Sequence, residues 1–107
     1  MSPKLRFMLR FAPEVVVHLD TIERKHHSLI RKTINEQLTF EPETEARNRK
    51  LLEQPAPYDA TWELRFGPNN RFRVFYAISE AEREVWILAI GMKEGNRLLI
   101  GGEEFEV

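Results

Sequence analysis

From Trp62 to Gly91 the hydrophobic and polar positions fall into three runs separated by turn residues. In the first, Trp62, Leu64 and Phe66 share one parity while Glu63 and Arg65 take the other, the period of two expected of a half-buried strand. Gly67-Pro68-Asn69-Asn70 then supplies turn chemistry. In the second run Phe72, Val74, Tyr76 and Ile78 lie on one face, leaving Arg71, Arg73, Phe75 and Ala77 on the other. After a polar turn over residues 79–84, Val85 to Ile90 is apolar on both faces, which predicts an interior strand. If the first two runs pair through their short turn, Arg65 falls on the same side as Arg71 and Arg73.

The N-terminal third follows other periods. Lys4 to Phe11 alternates imperfectly, with Leu5, Phe7 and Leu9 against Arg6, Met8 and Arg10, and predicts a strand. Ala12-Pro13 ends it, and Pro13 suits the first turn of a helix. Val15, Val16, Leu19 and Ile22 then form an amphipathic stripe, continued by His26, Ile30, Ile34 and Leu38. No Gly or Pro lies between Asp20 and Ser28, so two helices and one kinked helical region both fit. Pro42 closes the helical region. The connector over residues 43–61 holds Pro55 and Pro57, and its one helix-compatible stretch is Ala46 to Gln54. Beyond Gly91, Gly95-Asn96 is a turn signal, Leu98-Leu99-Ile100 reads as a short extra strand or a packed tail, and the end is acidic. The order β-α-α-β-β-β predicts an α+β fold, helices on one face of a sheet and the other face open to a ligand.

Composition narrows the chemistry. At 107 residues, 42% hydrophobic and 31% charged, the chain reads as a single domain over residues 1–107. No run is long enough to span a bilayer, and Met1 to Arg10 lacks the apolar core of a signal peptide, which predicts a cytoplasmic protein with no membrane partner. Cysteine is absent, and His18, His26 and His27 are too few and too closely grouped for zinc, so neither a metal nor a cofactor is expected. The net charge of −1 makes any basic surface local. Guanidiniums of Arg65, Arg71 and Arg73 on one sheet face would make an anion site; the competing reading is a structural ion pair with Glu63 or Glu84. Arg47, Arg49 and Lys50 in the connector are either a solvated face or added contacts beside an RNA groove. Trp62 and Tyr76 read as core, His26 as partly buried, His18 and His27 as surface.

Asn48-Arg49-Lys50-Leu51-Leu52, Trp62 to Arg65, Arg71 to Tyr76 and Val85 to Gly91, in this order behind a strand and a helical pair, resemble the RelE/ParE superfamily of bacterial toxins. The likeness runs from Lys4 to about Arg97. It implies two helices packed on one side of a twisted sheet, a concave opposite side and a cognate antitoxin that neutralises the toxin. The RelE-like branch cleaves messenger RNA on the ribosome by attack of a ribose 2′-OH on the adjacent phosphate, chemistry that needs no metal if protein groups move the protons and balance the charge. By this resemblance Arg73 is the phosphate clamp, flanked by Arg65 and Arg97, with Arg71, Lys93, Arg47, Arg49 and Lys50 as further RNA contacts. That branch also carries a C-terminal tyrosine, whereas Leu98 to Val107 has none, so the general base would come from elsewhere, with Glu63, on the same face as Arg65, a candidate. ParE-like relatives share the fold but poison DNA gyrase without nuclease chemistry, and that alternative stays open, as does a non-toxic relative that only binds an antitoxin.

Overall fold

Pairing along the third to fifth strands organises everything else. A computed structural model of the chain describes residues 5–105. Its elements in chain order are β1 (Met8–Phe11), α1 (Glu14–Asp20), α2 (His27–Leu38), β2 (Arg49–Leu51), β3 (Trp62–Phe66), β4 (Phe72–Ser79), β5 (Glu84–Glu94), β6 (Arg97–Ile100) and β7 (Glu103–Phe105). The fold is α+β. A seven-stranded sheet runs β2-β3-β4-β5-β6-β7, antiparallel throughout, and β1 adds to β5 in parallel.

β5 is eleven residues long and shares one edge between two partners. Glu84 to Ile87 pairs with β1, and Gly91 to Glu94 pairs with β6. The register with β4 shifts between Phe75 and Tyr76, a bulge that bends the sheet. In the gap between β1 and β6, the Ile90 N–H donates to Nδ1 of His18 at 3.2 Å. His18 is therefore buried at 3% exposure, not on the surface as its sequence position suggested. A buried, unpaired backbone donor there would cost on the order of 1–3 kcal/mol, so the imidazole completes the strand edge.

One face of the sheet carries the main core. Leu64, Val74, Tyr76 and Ile87 from the strands meet Val15, Ile22, Ile30, Ile34 and Leu38 from the helices. The helical region is two helices: Thr21 caps α1, a single 3-10 turn spans Arg24–His26, and the His27 ring bonds the Ile22 carbonyl. Val16 departs from the expected stripe and is exposed, because Val15, His18 and Ile22 face inward instead. In the N-terminal segment the ladder begins at Met8; Phe7 is buried, Leu5 is exposed and Lys4 lies outside the described residues.

Residues 46–54 are not helical. Ala46 and Arg49 bridge each other in a tight turn, and Arg49 to Leu51 forms β2 against β3. Arg49 decides this: its side chain is buried and bonds Gln37 of α2 and the Thr44 carbonyl. The Tyr76 hydroxyl donates to the Pro42 carbonyl at 2.7 Å and fastens the same connector from below. At the other end, Gly101-Gly102 turns the chain so that Glu103 to Phe105 forms β7; the end of the chain beyond it, including Glu106, lies outside the described residues.

Candidate functional site, a cleft on the far face of the sheet

The face away from the helices is only partly open. Phe75, Ala89, Leu98 and Ile100 form a second, smaller core there, with Leu52 and Phe105 packed on it. The loop over residues 52–60 folds against this face; the Gln54 side chain donates to the Ala60 carbonyl, and the Leu52 N–H donates to the Thr61 carbonyl. Between that loop and the strands lies a cleft of about 340 Å3 lined by Glu63, Arg65, Arg73 and Lys93, with Pro55 and Pro57 as its wall.

Strand register brings these four together. Arg65 and Arg73 are direct cross-strand partners, and Glu63 precedes Arg65 by two on the same face. Lys50 of β2 stands opposite Glu63, so it joins the same face from the edge. Gly91 stands opposite Arg73, where an added Cβ would come within 2.7 Å of the Leu99 carbonyl oxygen, so the sheet curls tightly here because that position lacks a side chain.

Glu63 is the electrostatic centre. Its carboxylate is 5% exposed and accepts Arg65 Nε at 2.6 Å on one oxygen and Arg73 Nη1 at 3.4 Å on the other. Arg73 is also buried, and its Nε donates to the Asn70 carbonyl at 2.9 Å. The Arg65 guanidinium is 39% exposed and reaches the solvent side. The ion pair weighed against function in the sequence is thus present. One carboxylate holds two guanidiniums at once, and the cleft leaves one of them accessible.

The remaining sequence-predicted residues lie elsewhere. Arg71 sits just before β4 in helical backbone geometry, which breaks the alternation; its guanidinium reaches Glu94 at 3.7 Å and lies over the Phe72 ring. The expected trio on one face is therefore the pair Arg65 and Arg73. Arg97 is bonded to Glu104 at 3.4 Å and lies one position out of step with Leu98, on the opposite side of β6 from the cleft. Lys93, opposite Leu98, points into it. Arg49 turns towards α2 and is buried, whereas Arg47 is exposed in the connector, away from the cleft lining. Tyr76 is a core residue whose phenol burial pushes up, so it is no proton donor to this cleft. Among the described residues no group of His, Asp or Glu is arranged to hold a metal ion.

His18 is the functional-looking group that sequence reasoning misplaced. Its ring meets Tyr58 edge-on at 5.2 Å, and Tyr58 packs on Phe105 at 5.8 Å, so α1, the cleft loop and β7 are joined through one aromatic chain. Burial lowers the His18 pKa, with Glu14 opposing. Burial also raises that of Tyr58, assisted by Glu103 and Glu14. The spacing of Val15, His18 and Ile22 carried the signal for an inward His18, since it fits a helical face as well as Val15, Leu19 and Ile22 do.

No helix is long and apolar enough to cross a membrane among the described residues. No protein-family profile matches this chain, and no curated protein is significantly similar to it in sequence.

Proposed function

We propose that this chain is a toxin of the RelE/ParE type, acting in the cytoplasm as a metal-independent endoribonuclease on ribosome-bound messenger RNA and held in check by a cognate antitoxin. The observation that carries this reading is the Glu63 carboxylate set between Arg65 and Arg73 in a cleft that also admits Lys93. The order of one strand and two helices ahead of the antiparallel run β3-β4-β5 is compatible with it.

In this reading a phosphate enters on the solvent side and takes the exposed Arg65 guanidinium from Glu63. The freed carboxylate oxygen then accepts the proton of the ribose 2′-OH, whose oxygen attacks phosphorus. Arg65 and Arg73 donate to the non-bridging oxygens as charge builds there. The bond from phosphorus to the 5′ oxygen breaks, and the Lys93 ammonium protonates the leaving oxygen. Cleavage leaves a cyclic phosphate on one fragment and a hydroxyl on the other. Lys50 adds a cation where the strand of RNA would run past the edge of the cleft.

Purified protein should cut messenger RNA in a translating extract. Arg65→Ala should slow this at least about tenfold at temperatures where near-ultraviolet circular dichroism shows the variant folded, since it also removes the closer partner of the buried Glu63 carboxylate. Transcripts left intact by the wild-type protein would overturn the nuclease reading. The gyrase-binding alternative is favoured by one observation: Arg73 is buried, with its Nε and Nη1 turned to partners within the protein. Inhibition of DNA supercoiling by a protein that leaves messenger RNA intact would select it.

A further inference from the structure

We infer that the groove between β1 and α2 is a binding site for an unbranched fatty acid, its carboxylate held by arginines at one end and its chain laid along an apolar wall. The inference stands apart from the nuclease reading, because the groove shares no lining residue with the arginine cleft.

The groove encloses about 730 Å3, within the range that small-molecule sites usually occupy. Phe7, Leu9 and Ile34 form its walls, and Phe11, 49% exposed, lines it as well. Its length follows from α2. The Phe7 N–H donates to the Thr39 carbonyl at 2.8 Å, which marks one end, and Arg31 stands two helical turns earlier, about 12 Å away along the axis. At the bond lengths and angles of saturated carbon, a chain of roughly ten carbons covers that distance.

Cations gather at the Thr39 end. Arg6 directly precedes Phe7, and its guanidinium lies over the ring of Phe40, the residue after Thr39, at 5.9 Å. Arg83 comes from the turn between β4 and β5, stacks over the Phe7 ring at 3.9 Å and donates through one terminal nitrogen to the Leu5 carbonyl. Its backbone holds φ 53°, left-handed geometry that is unfavourable for a residue with so long a side chain. Its Nε is buried with no hydrogen-bond partner, so a cationic donor has left water without an acceptor. Among the described residues no carboxylate pairs with Arg6, Arg31 or Arg83, and Glu82 is the only acid on the lining.

Together these features select the ligand. An inorganic anion would leave the apolar wall uncovered, and an uncharged hydrocarbon would leave the guanidiniums without a counterion. A carboxylate between Arg6 and Arg83 accepts from both and brings oxygen to the end where the Arg83 Nε has no acceptor. The chain then runs past Leu9 and Ile34 towards Phe11 and removes their apolar surface from water. Arg31 lies far from the head, where the methyl end arrives, and adds little to the affinity.

Titration of the isotope-labelled full chain with sodium decanoate, followed by amide chemical shifts, should show one saturable site, with shifts at Phe7, Leu9 and Ile34 and none at Arg65. Acetate, which has the head without the chain, and decyltrimethylammonium, which has the chain with the opposite charge, should each bind at least about tenfold more weakly. Arg6→Gln and Arg83→Gln should each weaken decanoate binding at least about tenfold, and Arg31→Gln less than about threefold. No saturation by decanoate, equal binding of decyltrimethylammonium, a loss with Arg31→Gln as large as with Arg6→Gln, or a dimer in solution that already covers Leu9 and Phe11 would each overturn the inference. Arg6 is exposed, so Arg6→Gln keeps the test decisive even if Arg83→Gln fails to fold.

Discussion

The two faces of one sheet divide the labour in this molecule. On the helix side, Leu64, Val74, Tyr76 and Ile87 are fully buried, and the one polar group among these four side chains, the Tyr76 hydroxyl, is satisfied by a carbonyl. On the far side the same strands present Glu63, Arg65 and Arg73 beside a small apolar patch. The first face gains stability from area removed from water. The second holds charges where desolvation opposes them, and only mutual pairing keeps them there. A buried acid between two arginines is a weak way to stabilise a fold, which is the reason to look for chemistry in the cleft.

This contrast can be broken by substitution. Phe72 is fully buried against Phe66 and His26, and Phe72→Ala should cost about 3–5 kcal/mol in urea denaturation, the largest effect expected. Glu63→Ala leaves the buried Arg73 without its carboxylate and should cost about 3 kcal/mol, whereas replacing Glu63 and Arg73 together by leucine and methionine should cost less than Glu63→Ala alone. If the double variant is instead the worse of the two, the pair contributes net stability and the contrast between faces fails.

His18 offers a finer test on the helix side. The fold selects the neutral ring, whose Nδ1 accepts the Ile90 N–H. Its pKa is held below the ordinary 6.5, so the contribution is complete above that value and is lost as pH falls below it through the folded pKa. Stability of the wild type should drop between about pH 7 and about pH 5 more steeply than that of His18→Gln, read by thermal melts across the range. Parallel curves would remove the role assigned to the ring. The smallest effect belongs to Arg97, whose pair with Glu104 is exposed on both sides: Arg97→Ala should change stability by less than about 0.5 kcal/mol and leave RNA cleavage intact.

The strands of the far half were legible because alternation is a local signal: Trp62 to Phe66 and Phe72 to Ile78 each state which side is buried, and Arg65 opposite Arg73 follows from the turn between them. What escaped was decided at long range. Arg49 turns inward because Gln37 and the Thr44 carbonyl wait there, which no connector sequence announces, and the segment therefore reads as solvated or helical. Arg71 leaves the pattern because the turn extends one residue further than its Gly-Pro-Asn-Asn letters suggest. The Glu-rich end forms a strand although it lacks alternation, held by its turn and by Phe105 against Tyr58. Glu63 was visible as a partner for the arginines, but that it is buried and serves both was not.

The most direct test compares wild type with Glu63→Gln in a translating extract, with near-ultraviolet circular dichroism confirming the fold of each. The amide keeps the shape and a hydrogen bond to Arg65 but cannot take up the 2′-OH proton. The account predicts that the wild type cuts messenger RNA and that Glu63→Gln does so at least about a hundredfold more slowly; cleavage at the wild-type rate by the folded variant would contradict it.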